Sequence, residues 1–162
     1  MKRIFSLAVC LLLVAVSLSG CGRELYKAGA LEIAIPDNYI DLSQADYAKD
    51  ADFLFGRDTL IVMGIAEKKA GLKEMTLAEY TDLLISGNEL ETARTLGPNG
   101  YRFAYRATVG EDTYTYYTGT FEAGDHFWTV QCYCPTGDFA KHSQQMEEIL
   151  ASVKTDVLFR HE

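Results

Sequence analysis

The chain has 162 residues, of which 48% are hydrophobic, 12% aromatic and 23% charged; this globular composition excludes disorder, collagen-like repeats and a disulfide scaffold. The formal net charge of −8 provides no electrostatic footprint for nucleic acid. One domain plus a processed segment is the expectation at this length.

The N-terminus carries the first element. Lys2 and Arg3 form a positive head, Ile4 to Val16 is apolar apart from Ser6, and Leu18-Ser19-Gly20-Cys21 follows directly. The apolar stretch falls short of the about 20 residues that cross a bilayer, so it reads as a signal peptide. Leu18-Ser19-Gly20-Cys21 resembles the lipobox of bacterial lipoproteins. That resemblance implies cleavage before Cys21 and acyl chains on its thiol, which place the mature protein on the extracytoplasmic face of the cell membrane. The mature chain then carries 13 basic against 23 acidic residues, a net charge of −10. Residues 1–20 are the signal peptide, 21–29 a short tether reaching at most roughly 30 Å, 30–154 a single α+β domain and 155–162 a tail. An acidic globule held near an anionic leaflet is expected to stand off it.

Leu31, Ile33 and Ile35 alternate with Glu32 and Ala34, the pattern of a half-buried strand stopped by Pro36-Asp37-Asn38. Asp52 to Phe55 and Leu60 to Ala66 flank Gly56-Arg57-Asp58 as a hairpin. The second strand of that hairpin is apolar on both parities, which predicts cover on both faces. Asp37 to Asp52 is the longest loop-like stretch. Thr76-Leu77-Ala78-Glu79 has capping-box spacing, and Leu77, Tyr80, Leu83 and Leu84 mark one face of the helix it starts. Tyr101–Val109, Thr113–Glu122 and Phe127–Tyr133, separated by Gly110-Glu111-Asp112 and Gly124-Asp125, predict an antiparallel meander. A closing helix over Asp138–Val153 carries Phe139, Met146, Ile149, Leu150 and Val153 on one stripe.

The order β, ββ, α, β-meander, α predicts an α+β fold: a three-layer α/β/α sandwich around a mainly antiparallel sheet. Leu31-Glu32-Ile33-Ala34-Ile35-Pro36, Tyr116-Tyr117-Thr118-Gly119-Thr120-Phe121, the Phe127-to-Pro135 strand and the closing amphipathic helix together resemble the PsbP-like α/β/α sandwich group, found in many small bacterial lipoproteins. The resemblance implies an extrinsic or partner-binding protein rather than an enzyme, and no site residue of any member is transferred by it.

Among chemistry-bearing residues, no G-x-S-x-G or H-E-x-x-H motif occurs, and His126 and His142 are expected at the solvated surface. Asp41, Asp46, Asp50 and Asp52 lack the turn glycine and distal glutamate of a calcium loop and read as a solvated acidic loop. Cys132 and Cys134 share a strand face, with Cα atoms spaced at the outer limit for a disulfide. Packed free thiols are expected; a local disulfide aided by a bend at Pro135, or a redox or metal role, are the alternatives. Residues 101–133 hold ten of the 19 aromatics. Adjacent Tyr116 and Tyr117 must face opposite ways, so an exposed aromatic patch is expected unless both faces are covered. Arg102, Arg106, Tyr116, Tyr117 and Trp128 are the candidate binding residues. No cofactor and no catalytic residue is expected. The first functional expectation is a non-enzymatic lipoprotein that binds another envelope protein; the alternative is a small-ligand or glycan binder using the aromatic patch. A tyrosine-lined pocket would favour the second, and a flat apolar patch the first.

Overall fold

A computed structural model describes residues 22–157 apart from 46, 47 and 73; the signal segment, Cys21, Asp46 and His161 lie outside the described residues. Among the described residues, ten strands and two α-helices follow in order: β1 (Arg23–Ala28), β2 (Leu31–Pro36), β3 (Ile40–Asp41), β4 (Phe53–Arg57), β5 (Leu60–Lys68), α1 (Leu77–Gly87), β6 (Thr95–Leu96), β7 (Tyr101–Val109), β8 (Asp112–Ala123), β9 (His126–Pro135), α2 (Phe139–Ala151) and β10 (Lys154–Thr155). They form a seven-stranded sheet of order β3-β4-β5-β9-β8-β7-β6 and a three-stranded sheet of order β1-β2-β10. Every pairing is antiparallel. Both edges of the large sheet are strands of two residues, too short to template pairing with another chain.

Tight turns set the hairpins. Gly110 and Gly124 open the β7–β8 and β8–β9 turns with φ of 65° and 58°, and Asp58 adopts 52° between β4 and β5; aspartate tolerates that left-handed region better than most side chains. The capping box forms as its spacing predicts: Glu79 N–H donates to Thr76 Oγ1 at 3.2 Å, and Thr76 N–H donates to Glu79 Oε2 at 2.8 Å.

The main core lies on one face of the large sheet, called here the inner face. Phe53, Leu60, Val62, Phe121, Trp128, Val130, Cys132 and Cys134 pack there against Leu31, Ile33 and Ile35 of β2 and Met146, Ile149 and Leu150 of α2. On the opposite, outer face, α1 buries Leu77 and Tyr80 against Tyr101 and Phe127. Tyr80 Oη lies 3.0 Å from Thr129 Oγ1 and Thr81 Oγ1 lies 2.7 Å from Thr120 Oγ1. The fold is therefore α+β and dominated by antiparallel sheet, with one helix against each face. It departs from a plain layered sandwich in two ways: the small sheet shares the inner face with α2, and α1 covers only part of the outer face.

Four sequence expectations need correction. The tether of residues 21–29 is mostly strand: Arg23–Ala28 pairs with β2 along its whole length, Arg23 opposite Pro36 and Ala28 opposite Leu31. The first tail residue, Thr155, is paired, because with Lys154 it adds β10 to the other side of β2. Leu83 faces solvent at 47% exposure, and Thr81 and Ile85 take its place on the buried side of α1. The outer parity of β5 is only half covered, since Ile61, Met63 and Ile65 remain half-buried where α1 does not reach.

Gly64 shows how tightly the inner face is filled. A Cβ there would lie 2.1 Å from Phe53 Cε1, whereas at Gly71 it would meet nothing within 4 Å. Gly64→Ala is expected to lower stability by about 1–3 kcal/mol through overpacking, and Gly71→Ala to leave it nearly unchanged; urea unfolding of the two variants checks this.

Candidate functional site

Sheet register places the aromatic residues. On the outer face, Tyr105 of β7 stands opposite Tyr116 of β8, Tyr116 opposite Tyr133 of β9, and Tyr133 opposite Ile61 of β5. The next row towards α1 contains Phe103, Thr118, Gln131 and Met63. Tyr105 and Tyr116 stack with ring centroids 4.8 Å apart and planes 3° apart, and Tyr116 and Tyr133 stack at 4.9 Å and 26°. Phe103 flanks Tyr105 at 6.1 Å, and Tyr114 meets Tyr133 edge-on at 6.3 Å. Gln131 Nε2 donates to Tyr105 Oη at 3.0 Å.

This row is the floor of an open cleft of about 480 Å³ walled on one side by Leu84, Asn88 and Leu90. Its lining includes Tyr105, Tyr116, Tyr133, Gln131 and Thr129 but no charged residue. Because the rings stand face to face, their faces are occupied by each other and the row turns ring edges and hydroxyls outward. Such a surface recognises hydrogen-bonding groups without favouring either sign of charge. Burial pushes the Tyr105 hydroxyl up to about 12, with the Tyr116 hydroxyl adding to the shift and the Gln131 bond opposing it; burial raises Tyr116 as well, so both are neutral donors at physiological pH.

The five residues singled out in the sequence do not form one patch. Tyr116 alone faces the cleft. Arg102, Arg106 and Tyr117 share the inner parity, as the register Arg102↔Gly119, Ala104↔Tyr117, Arg106↔Thr115 requires. Trp128 is 5% exposed in the core and stacks on Phe53 at 6.1 Å. Arg102 is 2% exposed, a correction to its place among residues of an exposed binding patch. Its guanidinium fits over Phe121, 4.8 Å from the ring centroid, where Gly119 has no side chain to block it. It donates to the carbonyls of Tyr101 and Leu150 at 3.0 Å and to Asn99 Oδ1 at 2.9 Å. Burial lowers its pKa, opposed by Glu147. Arg102 thus caps the C-terminal turn of α2, where carbonyls and the helix dipole favour a cation. Tyr117 donates its hydroxyl to Glu147 on α2, and Arg106 remains exposed on the sheet.

His142 is buried, at 5% exposure, another correction. Thr59 Oγ1 donates to Asp138 Oδ2 at 2.8 Å and lies 3.2 Å from His142 Nε2. With its single proton committed to Asp138, Thr59 accepts from His142, so the imidazole is a donor here and not a base towards that hydroxyl. The cluster ties α2 to the β4–β5 turn. His126 is half-buried, with Nδ1 2.6 Å from Asp125 Oδ1. Cys132 and Cys134 are buried free thiols; burial pushes both above the ordinary thiol range, the opposite of an activated nucleophile. Asp41 and Asp52 accept backbone N–H bonds from Ser43 and Ala66. Among the described residues no three His, Cys, Asp or Glu side chains gather as a metal site.

No family model and no curated protein matches the sequence. Solved structures do. The chain is similar to cyanobacterial PsbP (CyanoP) from Synechocystis, with a TM-score of 0.61 at 11% identity over 85% of this chain and 95% of that one. A protein from Bacteroides thetaiotaomicron gives 0.58 at 15% identity, covering 85% of this chain and half of the other. The Saccharomyces cerevisiae Ran-binding protein Mog1p gives 0.51 at 10% identity over 84% of this chain and 96% of that one. At such identities the likeness concerns fold alone, and the fold is PsbP-like.

The cleft has a signature at high pH. Tyrosine ionises near 10 in an unfolded chain and Tyr105 near 12 in the folded one. The resulting stability is fully present below pH 10 and is lost as pH rises through the folded value. Unfolding midpoints in urea are expected to fall between pH 9 and about 11, and by less in Tyr105→Phe; an equal fall in both proteins would contradict the assignment.

Proposed function

We propose that this chain is a non-enzymatic, lipid-anchored binding protein of the cell envelope, and that its site is the tyrosine-edged cleft of the outer face. The observation that carries this reading is an uncharged cleft of about 480 Å³ floored by a row of three stacked tyrosines. A concave, mostly apolar site with a few convergent polar groups is the usual form of a small-molecule site. The outward hydroxyls and the Gln131 and Asn88 amides suit a neutral, hydroxyl- or amide-bearing ligand such as a short envelope glycan. Lipid attachment at Cys21 supplies the membrane association. The thiols of Cys132 and Cys134, buried and pushed above the ordinary range, are not activated nucleophiles, which fits a binding role.

A second reading has its own support. The outer face beside the cleft exposes Leu83 and Leu96, at 47% and 57%, and Mog1p, a Ran-binding protein by name, shares the fold. A protein partner seated over cleft and rim would fit these features.

The test is a thermal-stability screen of residues 22–162 against neutral and charged oligosaccharides. A neutral ligand at 100 times its Kd is expected to stabilise the domain by about 2.7 kcal/mol, with the effect lost in Tyr116→Ala and kept in Arg106→Ala. If no saccharide stabilises the domain while in-cell cross-linking captures one recurrent protein, lost in Tyr116→Ala, the partner reading replaces the ligand reading.

A further inference from the structure

The sheet edge beside the cleft is only partly covered. β6 is too short to template pairing, and for the same reason it is too short to cover β7. It pairs through Thr95↔Arg102 and Leu96↔Tyr101 and then ends, so residues 103–109 form the border of the sheet themselves. Among the described residues, no backbone group pairs with that stretch from outside. Gly97 N–H donates to the Gly100 carbonyl at 2.9 Å, which places the backbone groups of even-numbered residues here on the side away from β8. Ala104, Arg106 and Thr108 continue that alternation and are exposed. Each turns an N–H and a C=O outward, the groups that a further strand would satisfy.

Proteins commonly blunt such edges with charge, proline or a bulge. β1, the border of the small sheet, carries Arg23, Glu24 and Lys27. Residues 103–109 contain no proline, and their register with β8 runs unbroken from Tyr101↔Thr120 to Val109↔Asp112. Arg106 is the one charged residue of the stretch; Glu111 and Asp112 follow at the hairpin tip. On the outer parity, Phe103, Tyr105 and Ala107 line the cleft, and Val109 is 59% exposed. The open edge and the cleft are therefore one continuous surface.

Alternating backbone donors and acceptors at strand spacing complement another extended polypeptide backbone. A second copy of this chain is a poor occupant. Antiparallel self-pairing of all of residues 103–109 sets Arg106 against Arg106 of the other copy, and like charges directly opposite destabilise a strand pair. The mature chain, with 13 basic against 23 acidic residues, also repels itself. We infer that the free edge of β7 accepts an extended segment of another polypeptide, which adds a strand to the large sheet. Its alternate side chains enter the cleft beside Tyr105, and it carries no cation opposite Arg106. The edge stands apart from the saccharide reading of the cleft, which survives if strand addition fails.

The test selects from a phage library of random decapeptides on the full-length protein in detergent, and then measures the affinities of the selected peptides. These are expected to alternate apolar and polar residues and to bind wild type and Arg106→Ala alike, because the backbone is unchanged. Arg106→Pro removes an outward N–H while leaving the β8 ladder, which uses the odd-numbered residues; it is expected to bind about tenfold more weakly. A second readout avoids any fault in folding of that variant: N-methylation of the peptide amides on one parity should abolish binding to wild type, and on the other parity leave it. No selected peptide, equal binding by Arg106→Pro, or tolerance of N-methylation at every position overturns the inference. So does a dimer in sedimentation that is lost in Arg106→Pro, which assigns the edge to a second copy. Stabilisation by a neutral saccharide alongside any of these results leaves the ligand reading of the cleft standing.

Discussion

Tyr116 stands between Tyr105 and Tyr133, and that double pairing sets what each face of the sheet becomes. Strand side chains alternate strictly, so a slip of one residue between β8 and its neighbours would move every aromatic to the other face. With the observed register, Tyr105, Tyr116 and Tyr133 stack on the outer face. Tyr117, Gly119 and Phe121 are thereby committed to the inner one, opposite Cys132, Val130 and Trp128. Stacked cross-strand aromatics each add roughly 0.2–1 kcal/mol, and here they do so where no helix covers the sheet. The row that holds the meander in register is thus the same row that the cleft exposes.

The inner face shows the complementary constraint. Two glycines in the strands on either side of β9, Gly64 and Gly119, leave room for the large rings of Phe53 and Phe121 and for the guanidinium of Arg102. Arg102 is held by carbonyls rather than by a carboxylate, and it links β7 to the end of α2. The arrangement fixes the helix without a buried ion pair, whose desolvation is costly. Tyr117 adds a second link through Glu147, and the His142–Thr59–Asp138 cluster a third at the other end of the helix. Polar groups here join elements to one another, which accounts for several residues that would otherwise suggest chemistry.

Much of the fold was legible in the sequence. The β4–β5 hairpin, the capping box at Thr76, the three meander strands and the closing helix each carry strong local signals in turn residues and periodicity. Three features were not legible, each for a physical reason. β1 reads Arg-Glu-Leu-Tyr-Lys-Ala and buries little, so its apolar pattern is too faint to distinguish a strand from a tether; pairing with β2 creates it. Arg102 has the composition of a surface residue, and only the helix end above it and the missing side chain at Gly119 make its burial possible. The meander has aromatics on both parities of β8, so local pattern says that Tyr116 and Tyr117 diverge but not which joins Tyr105 and Tyr133. The cleft depends on that register and on how far α1 extends, and both are long-range properties.

The central claim, that the tyrosine row is an occupied binding surface in the cell, is tested most directly by hydroxyl-radical footprinting. The full-length protein would be oxidised in intact cells and again after purification, and the yield at Tyr105, Tyr116, Tyr133 and Met63 compared with that at exposed reference residues. The account predicts that these four are oxidised in the purified protein and protected in the cell. Equal oxidation in both settings would show that nothing covers the cleft and would contradict the claim.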